Sequence, residues 1–290
     1  MAPTKGPIVP RKRLGNELKR LREESGRTLD EVAQALMIST SKLSRLENAQ
    51  GSPQVRDVRD LVVYYGLRDE PLGRRLMTWA REGRQMGWWA DYEDLIQWSE
   101  SFDVYLAYET EAKTSRVYSI PYITGLLQTR EYTRELVKAM SPWYTSEEVE
   151  RFVQLRMRRQ DGLSHREGRP PLELRTIIHE VSLSQLVGSP EIMRDQLDAL
   201  LTAPSKYPKV DLRILPARAE PHLMNTCTWS YFVFEELDRD VVHLETHAGF
   251  RYIEDIETIK RYGRAFSDMS ERSLDPEESA KLIHSMLQHW

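Results

Sequence analysis

The chain has 290 residues, of which 40% are hydrophobic and 30% charged, and its formal net charge at pH 7 is −4. This composition is typical of folded domains in water, and the chain has no apolar run of the roughly 18 residues that a membrane-spanning helix requires. A single cysteine, Cys227, excludes an intramolecular disulfide framework and a cysteine-based zinc cluster. We therefore expect a cytoplasmic protein without a cofactor.

The charge is divided unevenly along the chain. Residues 1–68 carry 13 Lys+Arg and 8 Asp+Glu, a net charge of +5, whereas the remainder carries 28 against 37, a net charge of −9. A basic segment followed by an acidic body indicates two modules with different partners. We predict a disordered tail over residues 1–10, a first domain over residues 11–84 and a second domain over residues 85–290.

Hydrophobic spacing and capping residues predict five helices in the first domain. Leucines at helical spacing mark a helix over Leu14–Glu24. Thr28 and Glu31 have the spacing of a capping box at the start of a second helix, and Ser39 is an N-cap for a third. Another helix follows Pro53, and the fifth covers Leu72–Arg81. The short connection between the second and third helices is typical of an all-α helix-turn-helix domain.

The segment LDEVAQALMISTSKLSRLENAQGSP resembles the phage-repressor (Cro/C1, or XRE) type of helix-turn-helix. The resemblance implies that the third helix enters the DNA major groove. It also implies a structural ion pair between Arg22 and Glu47, joining the first and third helices. The residues that it implies for DNA binding are Thr40, Ser41, Lys42, Ser44, Arg45 and Asn48.

Arg45 is the strongest candidate for base recognition, because an arginine can donate two hydrogen bonds to one guanine. The alternative for Ser41, Ser44 and Arg45 is that they are ordinary solvated positions on a helix surface. One such domain makes few contacts, so we expect a homodimer on a near-palindromic operator in double-stranded DNA.

Helical and strand patterns are mixed in the second domain. Segments rich in Val, Tyr, Phe and Trp predict strands over Val210–Leu215, Thr228–Glu235 and Val241–Thr246. Because these strands are close in sequence, they favour an antiparallel sheet packed by helices. The expected fold class is therefore multidomain, all-α followed by α+β. An aromatic cluster at its start, formed by Trp88, Trp89, Tyr92 and Trp98, is interpreted as core packing or as a ligand or partner surface.

The second domain also resembles a known family. The segments GLLQT and REY (125–132), RMRRQ (156–160) and VVHLET (241–246) are similar to those of DUF5753, a domain found behind helix-turn-helix domains in actinobacterial regulators. The resemblance spans about residues 85–288. It implies a transcription regulator, often of development or antibiotic production, and a small DUF397-type protein partner, but no known ligand.

Little in the second domain points to chemistry. His243, Glu245 and His247 alternate along one predicted strand, which makes them weak candidates for a metal site; a polar strand face in water is the alternative. The arginines at 156, 158 and 159 are expected on a helix surface. No catalytic motif occurs, so we expect no enzyme and no catalytic residue. The alternative is a toxin-like or enzymatic C-terminal domain with an autoregulatory DNA-binding domain.

Overall fold

The computed structural model describes residues 7–96, 102–219, 224, 226–235, 240–246 and 249–290, so Trp98 and His247 lie outside the described residues. The α-helices are α1 (Ile8–Glu24), α2 (Leu29–Ala35), α3 (Thr40–Glu47), α4 (Val55–Tyr64), α5 (Pro71–Glu82), α6 (Glu93–Ile96), α7 (Phe102–Glu111), α8 (Arg130–Met140), α9 (Ser146–Gln160), α10 (Val181–Ser184), α11 (Pro190–Lys206), α12 (Ile256–Arg272) and α13 (Pro276–Leu287). The strands are β1 (Thr114–Ser119), β2 (Glu173–His179), β3 (Val210–Leu215), β4 (Trp229–Val233), β5 (Val241–Thr246) and β6 (Gly249–Ile253). Within the described ranges, no helix combines the length and the apolar character needed to cross a membrane.

These elements form two compact units: α1–α5 and α7 belong to the N-terminal unit, and the six strands with α8–α13 belong to the C-terminal unit. The five helices predicted for the N-terminal unit are present, and their apolar faces meet in one core that includes Leu14, Val32, Leu43, Leu61 and Leu76. Burial of each such side chain stabilises the unit by about 1.5–3 kcal/mol. The expected combination of an all-α domain with an α+β domain is confirmed.

Helix α1 begins at Ile8, earlier than the predicted start at Leu14, so the prediction that residues 8–10 belong to a disordered tail was wrong. The reason is a carboxylate from a distant part of the chain. Glu111 Oε1 accepts the backbone N–H of Ile8 at 2.9 Å and that of Val9 at 3.3 Å. A negative charge at the first turn satisfies free N–H groups and complements the helix dipole.

Helix α7, which supplies Glu111, is buried nearly all round within the described structure. Asp103 and Glu111 are 6% and 7% exposed, and both act on the buried Arg11 of α1. Burial lowers the pKa of Arg11, and the two carboxylates oppose that effect. The Arg11 Nε–H donates to the carbonyl of Gly83 at 2.8 Å, after the end of α5.

The aromatic cluster beside these helices contributes packing. Trp89 is 3% exposed, and its ring contacts Trp88 edge to face with centroids 5.9 Å apart. The Trp88 Nε1–H donates to Thr110 Oγ1 of α7 at 3.1 Å. The packing interpretation therefore fits Trp88 and Trp89.

The C-terminal unit is built on one mixed six-stranded sheet in the order β3-β2-β1-β4-β5-β6. The antiparallel arrangement is found for β1 with β4, β4 with β5 and β5 with β6. The expected antiparallel arrangement therefore describes only part of the sheet, because β1, β2 and β3 are parallel. Helices α8 and α9 connect β1 to β2, and α10 and α11 connect β2 to β3, which are crossovers long enough to return the chain in the same direction.

Helix α12 packs on one face of this sheet through a core that includes Tyr118, Trp229, Tyr262 and Phe266. Asp255 caps the helix by accepting the N–H of Thr258 at 2.8 Å. At the sheet edge, the Ile214 N–H of β3 donates to the Ser279 hydroxyl of α13 at 2.9 Å. Thus α12 covers a face and α13 satisfies an edge strand.

His243 of β5 lies inside this unit, with only 4% of its surface exposed. Its ring centroid is 4.8 Å from that of Phe250 and 5.3 Å from that of Tyr252, both on the adjacent β6. Burial, assisted by the positive charge of Arg159, lowers the pKa of His243 to about 3. The ring is therefore neutral in the folded protein at neutral pH.

Replacing Glu111 with alanine is expected to destabilise the start of α1. The loss of two charge-assisted hydrogen bonds at a helix N-terminus costs about 1–2 kcal/mol. Hydrogen exchange of the α1 amides, measured by mass spectrometry on the full chain, should accelerate by about 5- to 30-fold. The variant Asp69→Ala, which removes an exposed carboxylate in the same unit, serves as the control. Equal protection of α1 in Glu111→Ala and wild type would contradict this role.

The C-terminal unit is expected to lose stability in acid through His243. Because its folded pKa lies below the unfolded value of about 6.5, protons bind preferentially to the unfolded chain as the pH falls from 6.5 towards 3. This contribution amounts to roughly 3 kcal/mol between pH 7 and 4.5. Urea unfolding at several pH values should show that the free energy of unfolding decreases less between pH 7 and 4.5 in His243→Leu than in wild type. This difference is expected whatever the absolute stability of the variant. Parallel pH profiles would refute the assignment.

Candidate nucleic-acid interface

The geometry of α2 and α3 begins with their caps. Thr28 Oγ1 accepts the Glu31 N–H at 3.2 Å, while Glu31 Oε2 accepts the Thr28 N–H at 2.8 Å, so the predicted capping box is confirmed. These hydrogen bonds lower the pKa of Glu31. Ser39 Oγ accepts the Lys42 N–H at 3.2 Å and thereby caps α3, also as predicted.

A tight turn over residues 36–39 sets the angle between α2 and α3. Its central residue is Met37, which has a φ of 53° and is 93% exposed. The Met37 N–H donates to the carbonyl of Gln34, and the Ile38 N–H donates to the carbonyl of Ala33. This pair of hydrogen bonds is a Schellman motif, which ends α2 and reverses the chain before α3 begins.

Helix α3 is fixed to α1 by an ion pair and a close backbone contact. Arg22 Nε lies 2.8 Å from Glu47 Oε1, and Arg22 Nη2 lies 2.9 Å from Glu47 Oε2, a bidentate arrangement. Glu47 is 5% exposed, and its hydrogen bonds raise the pKa of Arg22. A Cβ atom at Gly15 of α1 would lie 2.5 Å from the carbonyl oxygen of Glu47. Sequence reasoning missed Gly15, although a glycine inside a helix is a signal of close packing.

Four of the residues expected to bind DNA also contact their own protein. The Thr40 hydroxyl donates to Asp30 Oδ1 at 2.7 Å, and Lys42 Nζ lies 2.7 Å from Asp57 Oδ2. Ser44 and Asn48 contact each other at the C-terminal end of α3, where Asn48 Nδ2 donates to the carbonyl of Ser44 at 2.8 Å. These contacts orient α3 against α2 and α4 and cap its C-terminal end.

The side chains of Ser41 and Arg45 are exposed and form no hydrogen bond or ion pair with any of the described residues. Together with the exposed Asn48, they occupy helix positions spaced by four and then three residues, so they lie on one face. A guanidinium group and two short polar side chains on one exposed helix face can reach base edges in a groove. The structure therefore brings Ser41, Arg45 and Asn48 onto one exposed face of α3. It couples Thr40 to α2 and Lys42 to α4, whereas Ser44 bonds to Asn48 within α3 and its cap.

The weak metal candidates are not brought together as ligands. His243 is buried against β6, Glu245 is exposed, and His247 lies outside the described residues. Among the residues that the structure describes, no group of three or more His, Cys, Asp or Glu side chains could hold a metal ion.

The expectation that the arginines of α9 all lie on its surface was wrong for two of them. Arg158 is exposed, but Arg159 is 9% exposed and Arg156 is half-buried. Arg156 Nη1 donates to Gln128 Oε1 at 2.7 Å. The Gln128 side chain in turn donates to the carbonyl of Ile123 at 2.6 Å. These polar groups hold the GLLQT segment in place, and α8 begins only after it, at Arg130.

Comparison with known families assigns both parts of the chain. A family model described as "Helix-turn-helix domain" matches residues 13–76, which contain most of α1, all of α2–α4 and the exposed face of α3. A second model, described as "Domain of unknown function (DUF5753)", matches residues 102–285. Comparisons with curated proteins and with solved structures found no significant match. The chain therefore belongs to the DUF5753 family, and it carries a helix-turn-helix domain at its N-terminal end.

Proposed function

We propose that this protein is a sequence-specific DNA-binding transcription regulator of the XRE type. The observation that supports the proposal is the exposed face of α3, on which Arg45 has no partner within the described protein, in a domain that matches a helix-turn-helix family. An exposed, unpaired arginine on the second helix of such a motif is positioned to read guanine in the major groove.

The other α3 residues take roles that follow from their contacts. Ser41, next to Arg45 on the exposed face, donates or accepts a hydrogen bond at a base edge or a phosphate. Lys42, Ser44 and Asn48 contact the DNA backbone, and their hydrogen bonds within the protein fix the side chains in position beforehand. Thr40 keeps its hydrogen bond to Asp30 and also contacts the DNA at the major groove.

The regulator acts as a cytoplasmic homodimer on a near-palindromic operator. One recognition helix covers only a few base pairs, and two helices one helical turn apart supply the specificity that a single helix lacks. The C-terminal domain controls this activity without being an enzyme, in response to a small protein of the DUF397 type or to a small ligand. Supporting this division, the last 222 residues carry the acidic excess, which disfavours a second DNA-binding surface.

Charge reversal at Arg45 is expected to abolish operator binding while leaving the fold intact. The operator is first selected with the wild-type protein from a random DNA library. Arg45→Glu should then bind it at least about 100-fold more weakly, because a base contact is lost and a repulsive charge is introduced. The measurement is fluorescence anisotropy at fixed salt concentration.

Arg130→Glu is the matched control, since it makes the same charge change at an exposed position on α8 of the C-terminal unit. It should retain wild-type affinity for the selected operator. Wild-type affinity in Arg45→Glu would overturn the assignment of the recognition helix, and loss of affinity in Arg130→Glu would show that total charge governs binding.

The Arg22–Glu47 pair is expected to stabilise the N-terminal unit and position α3. Glu47→Gln leaves the guanidinium group of Arg22 without its buried, bidentate charge partner, which costs about 3 kcal/mol. Hydrogen exchange of the α3 amides should accelerate accordingly, and operator affinity should fall with it.

Glu17→Gln removes one of the two carboxylate partners of the exposed Arg20 on the same helix and is the control for the loss of a carboxylate from an ion pair. We expect little change in exchange, since exposed ion pairs contribute little. If Glu17→Gln and Glu47→Gln accelerated the exchange of α3 equally, the buried pair would have no special role.

A further inference from the structure

A cleft of about 570 Å³ lies between β1 and α12 of the C-terminal unit. Its volume is within the range of small-molecule sites, about 300–1,000 Å³. It is lined by three cations and two carboxylates, and the side chains that matter below are Arg116, Lys260, Arg264, Ser267, Asp268 and Glu271. None of these residues has a role in the function proposed above.

Arg116 projects from β1 into this cleft and is held by aromatic rings. Its guanidinium carbon lies 5.2 Å from the centroid of the Tyr231 ring and 6.0 Å from that of Phe266. The Nε–H is buried and has no hydrogen-bond partner, and the guanidinium forms no ion pair with any carboxylate in the described part of the chain. A half-buried cation without an anion is unfavourable, so an additional partner would stabilise it.

Helix α12 adds further positive charge on the same side. Lys260 and Arg264 are four residues apart and therefore share a helix face, where like charges repel. Lys260 is paired with Glu257 at 2.9 Å, whereas among the described residues the Arg264 side chain makes only a 3.5 Å hydrogen bond to the carbonyl of Lys260. Two guanidinium groups, those of Arg116 and Arg264, thus line the cleft and form no ion pair with a carboxylate in the described ranges.

The two carboxylates of the cleft, Asp268 and Glu271, form no ion pair with Arg116 or Arg264 in the described structure. Asp268 already lies 3.1 Å from Arg272 Nε, which compensates its charge. Glu271 lies one helical turn beyond Ser267, on the side of the cleft away from Lys260. Gly263 lets α12 lie close to the ring of Tyr231, because a Cβ there would lie 3.3 Å from Cε1 of that ring.

We propose that this cleft binds a small organic molecule through an oxyanion group, carboxylate or phosphate, held between Arg116 and Arg264. Guanidinium groups donate parallel hydrogen bonds to two oxygens of such a group. The stacked rings fix the plane of Arg116 before the ligand arrives, which reduces the entropy lost on binding. In the regulator proposed above, this ligand acts as the effector; its binding, however, can be tested without DNA.

The test uses the full chain and two probes, inorganic phosphate and succinate, each titrated against sodium chloride of equal ionic strength. The melting temperature of wild type should rise with at least one probe and not with chloride. A rise with phosphate alone identifies a phosphate ligand, and a rise with succinate alone identifies a carboxylate ligand. Arg116→Met and Arg264→Gln should each need at least about tenfold more probe than wild type to reach the same rise in melting temperature. Arg130→Gln, on α8, should respond like wild type.

A second measurement separates a binding site from a structural cation. Without any probe, Arg116→Met should melt at the same temperature as wild type or higher, because it removes a half-buried charge that lacks an anion. Arg264 is exposed, so Arg264→Gln remains folded and tests the site even if Arg116→Met does not fold. The proposal is overturned if neither probe exceeds chloride in its effect on wild type, or if both variants keep the wild-type response. Failure here leaves the DNA-binding proposal untouched.

Discussion

The buried carboxylate of Glu47 is the constraint on which the arrangement of α3 depends. Glu47 is the last residue of α3, and its bidentate pairing with Arg22 fixes that end of the helix against α1. The glycine at position 15 allows the two backbones to touch at the same point. Because the C-terminal end of α3 is fixed in this way and its N-terminal end is tied to α2 through Asp30, the exposed face between them has one orientation. A rigid element of this kind loses little entropy on binding.

Helix α7 provides a second buried carboxylate that fixes the end of a helix in the N-terminal unit. The DUF5753 model begins at residue 102, yet the compact unit that contains α1 includes α7 and receives Glu111 at its first turn. The segment that completes the N-terminal unit therefore comes from the matched C-terminal family. Only two residues, 112 and 113, separate α7 from β1. The capping carboxylate of Glu111 is therefore close in sequence to the strand that carries Arg116. A domain boundary based on composition does not reveal that α7, which lies within the DUF5753 match, belongs to the N-terminal unit.

The sequence predicted those parts of the structure that depend on local interactions. Caps at Thr28 and Ser39, the five helices and the late strands all rest on contacts between residues close in the chain. The parallel pairing of β1, β2 and β3 could not be read in this way, because strand direction depends on where long crossovers return the chain. The early start of α1 was missed for a similar reason, since its capping carboxylate is 103 residues away. The exposed faces of α3 followed from spacing, but which polar side chains stay free of protein contacts depended on Asp30 and Asp57.

The charge of the whole chain, −4, would argue against binding to DNA, and the structure explains why it is a poor guide. Exposed charges further apart than about 10 Å are largely screened at physiological ionic strength, so a polyanion responds to the local surface. Part of the acidity of the chain is also withdrawn from solvent. Asp103, Glu109 and Glu111 of α7 are each 7% exposed or less, and Glu47 is neutralised by Arg22. Arg45, by contrast, is exposed and unpaired within the described residues, so the charge that faces outward from α3 is positive. The same reasoning applies to Arg116 and Arg264 within an acidic domain: the charge that a ligand meets is set by which side chains already have a partner, and composition does not reveal this.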